Sequence, residues 1–361
     1  MIRTFLVDDE RGARERLRHL LSLFGDVEIV GEAENGEEAL QRIPKLRPDL
    51  VFLDIQMPGG TGLEVARALE PPRPRIIFCT ALDSHAISAF ELHAIDYLLK
   101  PVNRTRLRDA VEVVRQSVAD MAARHQIEMA QQVQSRMFPR TPPRVKGLDY
   151  SGICEAAQEV SGDYYDFIPI AAGKLAITIA DISGKGVSAG LLMASLQGRL
   201  QTYSPVYGMA VGQLAGHLNR LMHASTQESR FITMFYAVYD ETDRSLTYVN
   251  AGHNPPLLAR SGAFERLEVG GTVLGPLPEA AYQQDTIQLL PSDTLILFTD
   301  GITEATNSTG EEFGEARLRS SILGGMKLPA QELRDWILKD ADAFAGKFLN
   351  DDRTIVVAKV L

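Results

Sequence analysis

Polar residues recur where strand-length apolar runs end in the first third of the chain. Asp8 and Asp9 follow IRTFLV, Asp54 ends LVFLD, Thr80 follows RIIFC, and Lys100 follows DYLL. The ends of parallel strands meet at one edge of a sheet, so we expect these side chains to converge. Three carboxylates repel one another without a cation, and an all-oxygen ligand set suits Mg²⁺. Although each residue alone fits a strand end or a turn cap, the joint pattern predicts a phosphoryl acceptor.

The same residues suggest how such an acceptor would work. Asp54 can attack a phosphoryl donor as a nucleophile, while Lys100 places a compact cation on the phosphoryl oxygens. Mg²⁺ would offset the charge of the transferring group. Thr80 can hydrogen-bond the product.

A second set of acidic residues lies in the second half of the chain. It comprises the segments SGDYYD at 161–166, ITIADISGKG at 177–186, LILFTDGITEA at 295–305 and LNDDRTIVV at 349–357. Each places aspartate at the edge of a strand without a His or Cys cluster, which favours a pair of Mg²⁺ or Mn²⁺ ions. Two such ions can activate a water and hydrolyse a phosphate ester without a protein nucleophile. A hairpin turn explains any one segment, whereas the four together indicate metal-assisted phosphomonoester hydrolysis.

Apolar runs alternate with amphipathic stretches from residue 2 to about 120. The apolar runs are IRTFLV, VEIVGEA, LVFLD, RIIFCTA and IDYLLK, and the helical stretches are 12–24, 36–43, 62–69, 84–91 and 103 onward. Continuous apolar strands alternating with helices are typical of a parallel sheet covered on both faces. The pattern predicts an α/β domain with a doubly wound five-stranded parallel sheet.

After Pro101 the apolar spacing becomes helical. A coiled-coil seam is formed by Leu107, Val111, Val114, Val118 and Met121. The register breaks at 125–128 and a shifted seam continues until TPP at 141–143 ends the helix. We therefore expect an interrupted helical linker over 119–143. It is either a dimerising coiled coil, which we favour, or an amphipathic helix packed on one domain.

Beyond residue 148, strands are separated by turn signals rather than by regular helices. The predicted strands are LAITIAD, FITMFYAVYD, SLTYVNAG, PPLLAR, FERLEV, DTLILFTDG and RTIVVAKVL, with helices near 186–203, 210–225 and 330–346. This pattern predicts a mostly antiparallel α+β second domain.

Composition excludes several classes of protein. The 361 residues favour two or three domains, and 37 Lys plus Arg against 47 Asp plus Glu give a net charge of −10. Without a basic block or a basic helix-turn-helix pattern, we expect no nucleic-acid binding, which disfavours a transcription factor. The two cysteines, Cys79 and Cys154, support neither a disulfide framework nor a zinc site, so we expect a cytoplasmic location. No apolar run is long enough for membrane insertion, and no signal peptide is recognised.

Residues 1–118 resemble the response-regulator receiver domain. The resemblance rests on DDE at 8–10, DIQMPGGTG at 54–62, TA at 80–81 and DYLLKP at 96–101. It implies that Asp54 accepts a phosphoryl group from a histidine kinase, and that Asp9, Asp54 and the Gln56 carbonyl bind Mg²⁺ with support from Asp8. It also implies switch roles for Thr80 and Tyr97 beside Lys100, and a cis bond before Pro101. For Tyr97, an ordinary half-buried strand aromatic is an equally good interpretation.

Residues 144–361 resemble the metal-dependent serine/threonine phosphatases, within their bacterial SpoIIE/RsbU-type branch. The similarity begins at IEMAQQVQSRMFPRTPP (127–143) and continues through SGDYYD, ADISGKG, NAGHNPP (250–256), FTDGITEA and DDRT. It implies a two-sheet β-sandwich flanked by helices. It also implies two Mn²⁺ or Mg²⁺ ions held by Asp163, Asp181, Asp300, Asp351 and the Ile182 carbonyl, with Asp181 bridging them.

Several residues beside these positions have open roles. In DDRT, Asp351 aligns with the ligand while Asp352 fits a turn cap. Ser183 stands where the eukaryotic branch has a histidine that protonates the leaving group, so the general acid stays open.

For the remaining residues a structural role is the simpler interpretation. His253 fits a hydrogen-bonded structural histidine, and Lys185 fits a solvated side chain better than a phosphate ligand. Asp166 and Glu304 either support the ligands or are surface charges.

Together the resemblances imply a two-component response regulator in which phosphorylation of Asp54 controls a metal-dependent phosphoserine or phosphothreonine protein phosphatase. The implied substrate is a phosphorylated anti-sigma-factor antagonist in a partner-switching pathway, and the linker helix would make a homodimer. The alternative is an adaptor that uses an inactive phosphatase fold for docking. The four retained acidic positions favour the enzyme.

Overall fold

The computed structural model describes residues 1–81, 94–226, 230–346 and 349–361. The chain divides into two compact units, Met1–His125 and Gln126–Leu361. Each unit is described by itself. The predicted helix at 84–91 lies outside the described residues.

The first unit is built on a parallel sheet. Its strands are β1 (Ile2–Val7), β2 (Val27–Ala33), β3 (Leu50–Asp54), β4 (Gln56–Met57), β5 (Gly60–Thr61), β6 (Arg75–Thr80) and β7 (Asp96–Leu99). Its helices are α1 (Arg11–Leu21), α2 (Gly36–Leu46) and α3 (Gly62–Ala68), and α4 (Arg104–Gln134) begins in this unit. The sheet order is β2-β1-β3-β6-β7, with β4 and β5 forming a separate short ribbon. This confirms the predicted five-stranded doubly wound sheet.

Alternation along the strands explains why helices cover both faces of this sheet. Phe5, Val51 and Phe78 pack on one face with α2 and α3. Leu6 and Phe52 pack on the other face with α1 and α4. Burial on both faces requires the continuous apolar runs that the sequence shows.

Helix α4 departs from the predicted interruption. It runs without a break from Arg104 to Gln134, and it ends before the TPP segment at 141–143. The segment contains neither glycine nor proline, so a shift in apolar register only moves the apolar stripe around the helix and removes no backbone hydrogen bond. Leu107, Val111 and Val114 are fully buried in the first unit's core, so this part of the heptad seam packs on its own unit.

The second unit is mostly antiparallel. Its strands are β8 (Leu148–Glu155), β9 (Tyr164–Ala171), β10 (Lys174–Ile182), β11 (Ile232–Asp240), β12 (Ser245–Ala251), β13 (Leu257–Arg260), β14 (Ala263–Arg266), β15 (Gly270–Gly271), β16 (Asp285–Gln288), β17 (Thr294–Phe298) and β18 (Arg353–Val360). Its helices are α5 (Val187–Tyr207), α6 (Val211–His223), α7 (Asp300–Thr303), α8 (Gly314–Gly325) and α9 (Ala330–Ala345).

These strands form two sheets that pack face to face. Sheet one has the order β15-β12-β11-β10-β9, with β16 paired to β12, and sheet two has the order β14-β13-β17-β18-β8. Ile177 and Phe235 of sheet one share a core with Leu297 and Val356 of sheet two. Helices α5 and α6 cover the outer face of sheet one, and α8 and α9 cover that of sheet two. This layering confirms the expected β-sandwich flanked by helices.

None of the helices in the described residues combines the length and the apolar character that crossing a bilayer requires.

Candidate functional site

The first site lies at the C-terminal edge of the parallel sheet. β1 ends directly before Asp8 and Asp9, and the neighbouring strand β3 ends at Asp54. Oxygens of these three carboxylates lie within 4.8 Å of one another. Asp8 and Asp54 are buried, whereas Asp9 is exposed. The structure therefore brings the three predicted carboxylates together.

Lys100 supplies the cation of this site. Its Nζ lies 2.6 Å from Asp54 Oδ2 and 2.7 Å from Asp8 Oδ2. Burial raises the pKa of Asp54, an effect that Lys100 opposes and Asp8 reinforces. Burial lowers the pKa of Lys100, but the hydrogen bonds to Asp54 and Asp8 outweigh it and the pKa is raised. One ammonium among three carboxylates leaves net negative charge, which fits a divalent cation with oxygen ligands.

The other predicted residues of the first site lie on the adjacent strands. Thr80 is fully buried at the end of β6, and its carbonyl accepts a hydrogen bond from the Lys100 backbone at 2.8 Å. Tyr97 lies in β7 and packs, partly buried, against the core. Gln56 donates its backbone N–H to Asp54 Oδ1 at 3.2 Å. The bond between Lys100 and Pro101 is cis, as expected.

Sequence reasoning missed one residue of the first site. Arg14 of α1 is buried, and its Nη1 donates to the Asp8 carbonyl at 2.6 Å. Its Nη2 pairs with Glu34 at 2.5 Å. A charged residue one helical turn into α1 resembles any exposed arginine in the sequence, so only the fold reveals its contact with the Asp8 backbone.

The second site consists of Asp163, Asp181, Asp300 and Asp351, contributed by both sheets of the sandwich. Asp163 directly precedes β9 and Asp181 lies in β10, both in sheet one. Asp300 begins α7 after β17, and Asp351 lies just before β18, both on sheet two. Within the residues described, no three of these four reach the 4.8 Å closeness of the first site.

Asp163 joins the two sheets. It is buried, and its Oδ2 accepts hydrogen bonds from Thr299 Oγ1 and Thr354 Oγ1, both at 2.7 Å. Burial and then the charge of Asp181 raise its pKa well above the ordinary value. Gly162 allows the turn before Asp163 to lie close to the end of β10, because a Cβ at this position would lie 3.1 Å from the Ile182 carbonyl oxygen. That carbonyl, the predicted backbone ligand, therefore lies beside the Asp163 turn.

The remaining carboxylates act on one another electrostatically. Burial, followed by the charges of Asp300 and Asp351, raises the pKa of Asp181 to about 7. Burial, followed by the charge of Asp351, raises the pKa of Asp300. Several carboxylates whose charged forms are mutually unfavourable form a donor set that divalent cations would neutralise. The donor set therefore fits Mg²⁺ or Mn²⁺.

The two aspartates of DDRT have different surroundings. Asp352 is buried, and its oxygens accept hydrogen bonds from Ala157 N at 2.8 Å, Ser161 Oγ at 3.0 Å and Gly162 N at 2.6 Å. The Asp351 side chain is 46% exposed and pairs with Lys185 at 3.0 Å. Asp352 thus fixes the turn before Asp163, and Asp351 is the member open to a ligand.

Ser183 and His253 are both tied to the protein frame. The Ser183 hydroxyl accepts a hydrogen bond from Phe231 N at 2.9 Å. His253 is buried, with Nδ1 2.8 Å from Thr233 Oγ1, and Thr233 is the cross-strand partner of Asp181. Burial lowers the pKa of His253 to about 4. The neutral, buried ring of His253 therefore holds Thr233 in place opposite Asp181 of β10.

Asp166 and Glu304 differ in their surroundings. Asp166 is buried, and its Oδ2 accepts hydrogen bonds from Tyr164 OH and from Gln201 Nε2 of α5, both at 2.5 Å. It is therefore a core carboxylate that connects β9 to α5, and surface charge is the wrong interpretation. Glu304 is exposed and lines a cavity of about 230 Å³ together with Lys185 and Asp351.

The fold and the two acidic sites define a receiver domain followed by a domain with the PP2C phosphatase fold. The chain belongs to the stage II sporulation protein E (SpoIIE) family, whose model matches residues 171–361, more than half of the chain. The model of the response regulator receiver domain matches residues 4–112.

Curated response-regulatory relatives match part of the chain, over 117 residues for one of them and 203 for another. The transcriptional regulatory protein BtsR of Salmonella typhi is 54% identical over 117 residues, which are 32% of this chain and 49% of that protein. The chain thus spans about half the length of such relatives.

Solved structures match the second unit. The SiaA-PP2C domain of Pseudomonas aeruginosa superposes with a TM-score of 0.61 at 18% identity, covering 67% of this chain and 99% of that one. The RsbU and RsbW domains of Rv1364c from Mycobacterium tuberculosis give a TM-score of 0.53 at 25% identity, covering 60% and 61%. These likenesses establish the fold of the second unit.

Proposed function

We propose that this protein is a response regulator whose second domain is a metal-dependent phosphoserine or phosphothreonine protein phosphatase. Asp54 is the phosphoacceptor for a histidine kinase, and the substrate is a phosphorylated anti-sigma-factor antagonist. The likeness to the RsbU domain of Rv1364c supports this substrate class.

One observation carries the proposed activity. Asp163 and Asp181 on sheet one approach Asp300 and Asp351 on sheet two, so that the charge of one residue perturbs the pKa of the next. When bound, divalent cations supply Lewis acidity and an activated water for attack on phosphorus. Asp163, Asp181, Asp300 and Asp351 would hold these ions, and the hydroxyls of Thr299 and Thr354 orient Asp163.

The rival function is an adaptor that binds a partner through an inactive phosphatase fold. An adaptor has no need to bury several repelling carboxylates, whose desolvation destabilises the folded protein. Here Asp163 is buried and Asp181 is half-buried. Their retention supports the enzyme.

Helix α4 supports control by the receiver. It begins in the first unit, and its last residue, Gln134, hydrogen-bonds to both the N–H and the carbonyl of Ser161, next to the Asp163 turn. A change in this helix on phosphorylation of Asp54 therefore has a covalent and hydrogen-bonded route to the second site.

The middle of α4 also supports a homodimer. The side chains of Met121, Met129 and Val133 are 62%, 55% and 58% exposed, although they are apolar. A second copy of the helix would cover them. Light scattering on the full chain and on the Met129→Glu/Val133→Glu variant tests this, since a dimer that survives both charges contradicts the proposal.

The activity is tested by Mn²⁺-dependent phosphate release from a phosphoserine-containing anti-sigma-factor antagonist. We expect release by the wild-type chain and loss of at least a hundredfold in Asp181→Asn, because a bridging ligand is replaced by a neutral amide. Asp335→Asn, at an exposed position on α9, is the matched control and should keep full activity. Binding of the antagonist without release under Mn²⁺ or Mg²⁺ would establish the adaptor.

The same assay measures whether the receiver controls the rate of phosphate release. Beryllofluoride mimics a phosphoryl group on Asp54, and Asp54→Ala removes its attachment point. We expect a change in rate that requires Asp54, whichever its direction. An identical rate in all receiver states would exclude coupling.

A further inference from the structure

The loop between β10 and α5 presents Lys185 from a fixed backbone. Ser183 N donates to Phe231 O at 3.0 Å, and Arg230 Nη1 donates to Ser183 O at 2.8 Å. Gly184 has a φ of +99°, and a Cβ there would lie 2.1 Å from Arg230 Nη1, so the guanidinium packs directly on the turn. The hydrogen bonds at Ser183 on one side and the start of α5 on the other side hold the Lys185 backbone in place.

The Lys185 ammonium contacts the second site itself. Its Nζ lies 3.0 Å from Asp351 Oδ2 and donates to the Asn350 carbonyl at 2.9 Å. Its charge lowers the pKa values of Asp181 and Asp300, against the larger opposing effect of burial. The side chain remains 46% exposed, so it can move without disturbing the core.

Only one of the cations that line the adjacent cavity is available to a ligand. The described lining of this cavity, about 230 Å³, contains Lys185 and Arg353. Arg353 is buried and bound to Glu155 at 2.5 Å and Asp342 at 2.6 Å, so two carboxylates already pair with its charge. Lys185 pairs with Asp351, a residue proposed to bind metal. A metal ion held by Asp351 would offset the charge of this carboxylate and weaken its attraction for the ammonium.

We propose that Lys185 is the substrate-positioning cation of the second site, binding a non-bridging oxygen of the phosphoryl group when Asp351 is engaged by metal. This inference rests on the proposed phosphatase function. An ammonium on a flexible stem at a fixed backbone position suits a doubly charged phosphate monoester. Because the same ammonium pairs with Asp351 at 3.0 Å, metal and Lys185 compete for one carboxylate.

This competition predicts that loss of the Lys185 charge changes phosphate affinity and Mn²⁺ affinity differently, which a purely structural lysine would not do. Replacing Lys185 with methionine keeps the length of the side chain and removes its charge. Phosphate then loses a partner, whereas Mn²⁺ loses a competitor for Asp351. Phosphate affinity and metal affinity should therefore not fall together.

The test measures inorganic phosphate and Mn²⁺ binding by calorimetry on the full-length protein. We expect Lys185→Met to weaken phosphate binding to the Mn²⁺-loaded protein at least tenfold, with Mn²⁺ binding unchanged or tighter. Lys185→Arg should retain most phosphate affinity. Lys339→Met, at an exposed position on α9, should match the wild type.

Three results would overturn the proposal. They are phosphate binding that is unchanged in Lys185→Met, phosphate binding that is absent in the Mn²⁺-loaded wild type, and a loss of Mn²⁺ affinity in Lys185→Met as large as its loss of phosphate affinity. Turnover separates this inference from the proposed function. A wild type that binds phosphate but releases none from phosphoserine protein contradicts the phosphatase alone. A wild type that turns over with the same KM as Lys185→Met contradicts the role of Lys185 alone.

Discussion

The side-chain amide of Gln134 makes two hydrogen bonds with the backbone of Ser161. Nε2 donates to the Ser161 carbonyl at 2.7 Å, and the Ser161 N–H donates to Oε1 at 2.9 Å. Both residues are buried, and Gln134 is the last residue of α4. The position of the helix end is therefore linked to the turn that carries Asp163.

Removing this link should lower activity and weaken receiver control. Gln134→Ala leaves a buried N–H and a buried carbonyl of Ser161 without these partners, at a cost of about 1–3 kcal/mol. We expect phosphate release to fall at least tenfold and the beryllofluoride effect to shrink, measured in the Mn²⁺ assay. Gln132→Ala, at an exposed position of the same helix, should change neither. Full activity and full control in Gln134→Ala would exclude this route.

Lys100 should control phosphorylation of the receiver. Its two ion pairs place a cation where phosphoryl oxygens would lie once Asp54 has reacted. We expect Lys100→Met to slow labelling of Asp54 by acetyl phosphate at least tenfold, read on a phosphate-affinity gel. Lys45→Met, an exposed lysine in α2, serves as the control. Equal labelling of the two variants would rule out an electrostatic role for Lys100.

The parallel sheet could be predicted from sequence because its central strands β1, β3 and β6 are buried on both faces and read as continuous apolar runs. Strands β8 and β9 could not be predicted in this way. In β8, LDYSGICE is half-buried after Leu148, and in β9, YYDFIPIA carries the core carboxylate Asp166. The short amphipathic signal of α8 was missed as well, because glycines occupy both of its ends. The continuity of α4 does not follow from the apolar pattern, because a shift of the apolar register moves the stripe around the helix without breaking the backbone.

In both sites the aspartates stand at the ends of strands, so the sequence motifs that contain them could be recognised. The residues that hold them are not visible in this way. Gln134, Thr299 and Thr354 contact segments far apart in the chain, and Arg14 contacts the backbone of Asp8, six residues before it. Nothing in a single sequence marks such a threonine or glutamine as different from any other. The pairing of these segments in space is what assigns their roles.

His253 should make the second unit sensitive to acid. Its pKa is about 4 in the folded protein and 6.5 in the unfolded chain, so unfolded molecules take up the proton first and stability falls as pH drops through this window. Between about pH 7.5 and about pH 5 the His253 contribution to the free energy of unfolding should fall by about 2 kcal/mol, read as the difference between wild type and His253→Gln, because the raised pKa of Asp181 contributes with the opposite sign in both proteins. Urea unfolding followed by the fluorescence of Trp336, the single tryptophan, reports it. His253→Gln should remove this pH dependence while His223→Gln keeps it; an unchanged dependence in His253→Gln contradicts the assignment.

Metal binding to the second site should release protons. Burial, followed by the charges of Asp300 and Asp351, raises the pKa of Asp181 to about 7, and a carboxylate must be deprotonated to bind metal. Mn²⁺ affinity should therefore weaken as pH falls below about 7, by up to about tenfold per pH unit. Calorimetry in two buffers of different ionisation enthalpy measures the released protons. An affinity that stays constant on both sides of neutrality would show that Asp181 is already ionised.

The adjacent Asp351 and Asp352 should give opposite phenotypes when each is changed to asparagine. Asp352 is buried and accepts three hydrogen bonds from Ala157, Ser161 and Gly162, so an amide NH₂ in place of one oxygen meets donors and destabilises the fold by about 2–4 kcal/mol. Asp351 is half-exposed, and among the described residues its carboxylate is bound to Lys185 and the Asp352 N–H, so Asp351→Asn should keep the unfolding free energy within about 1 kcal/mol. It should nevertheless weaken Mn²⁺ binding at least tenfold, because a charged ligand is lost. Urea unfolding and Mn²⁺ calorimetry on both variants decide the matter. If Asp352→Asn lost metal with its stability intact, the ligand of the DDRT segment would be Asp352.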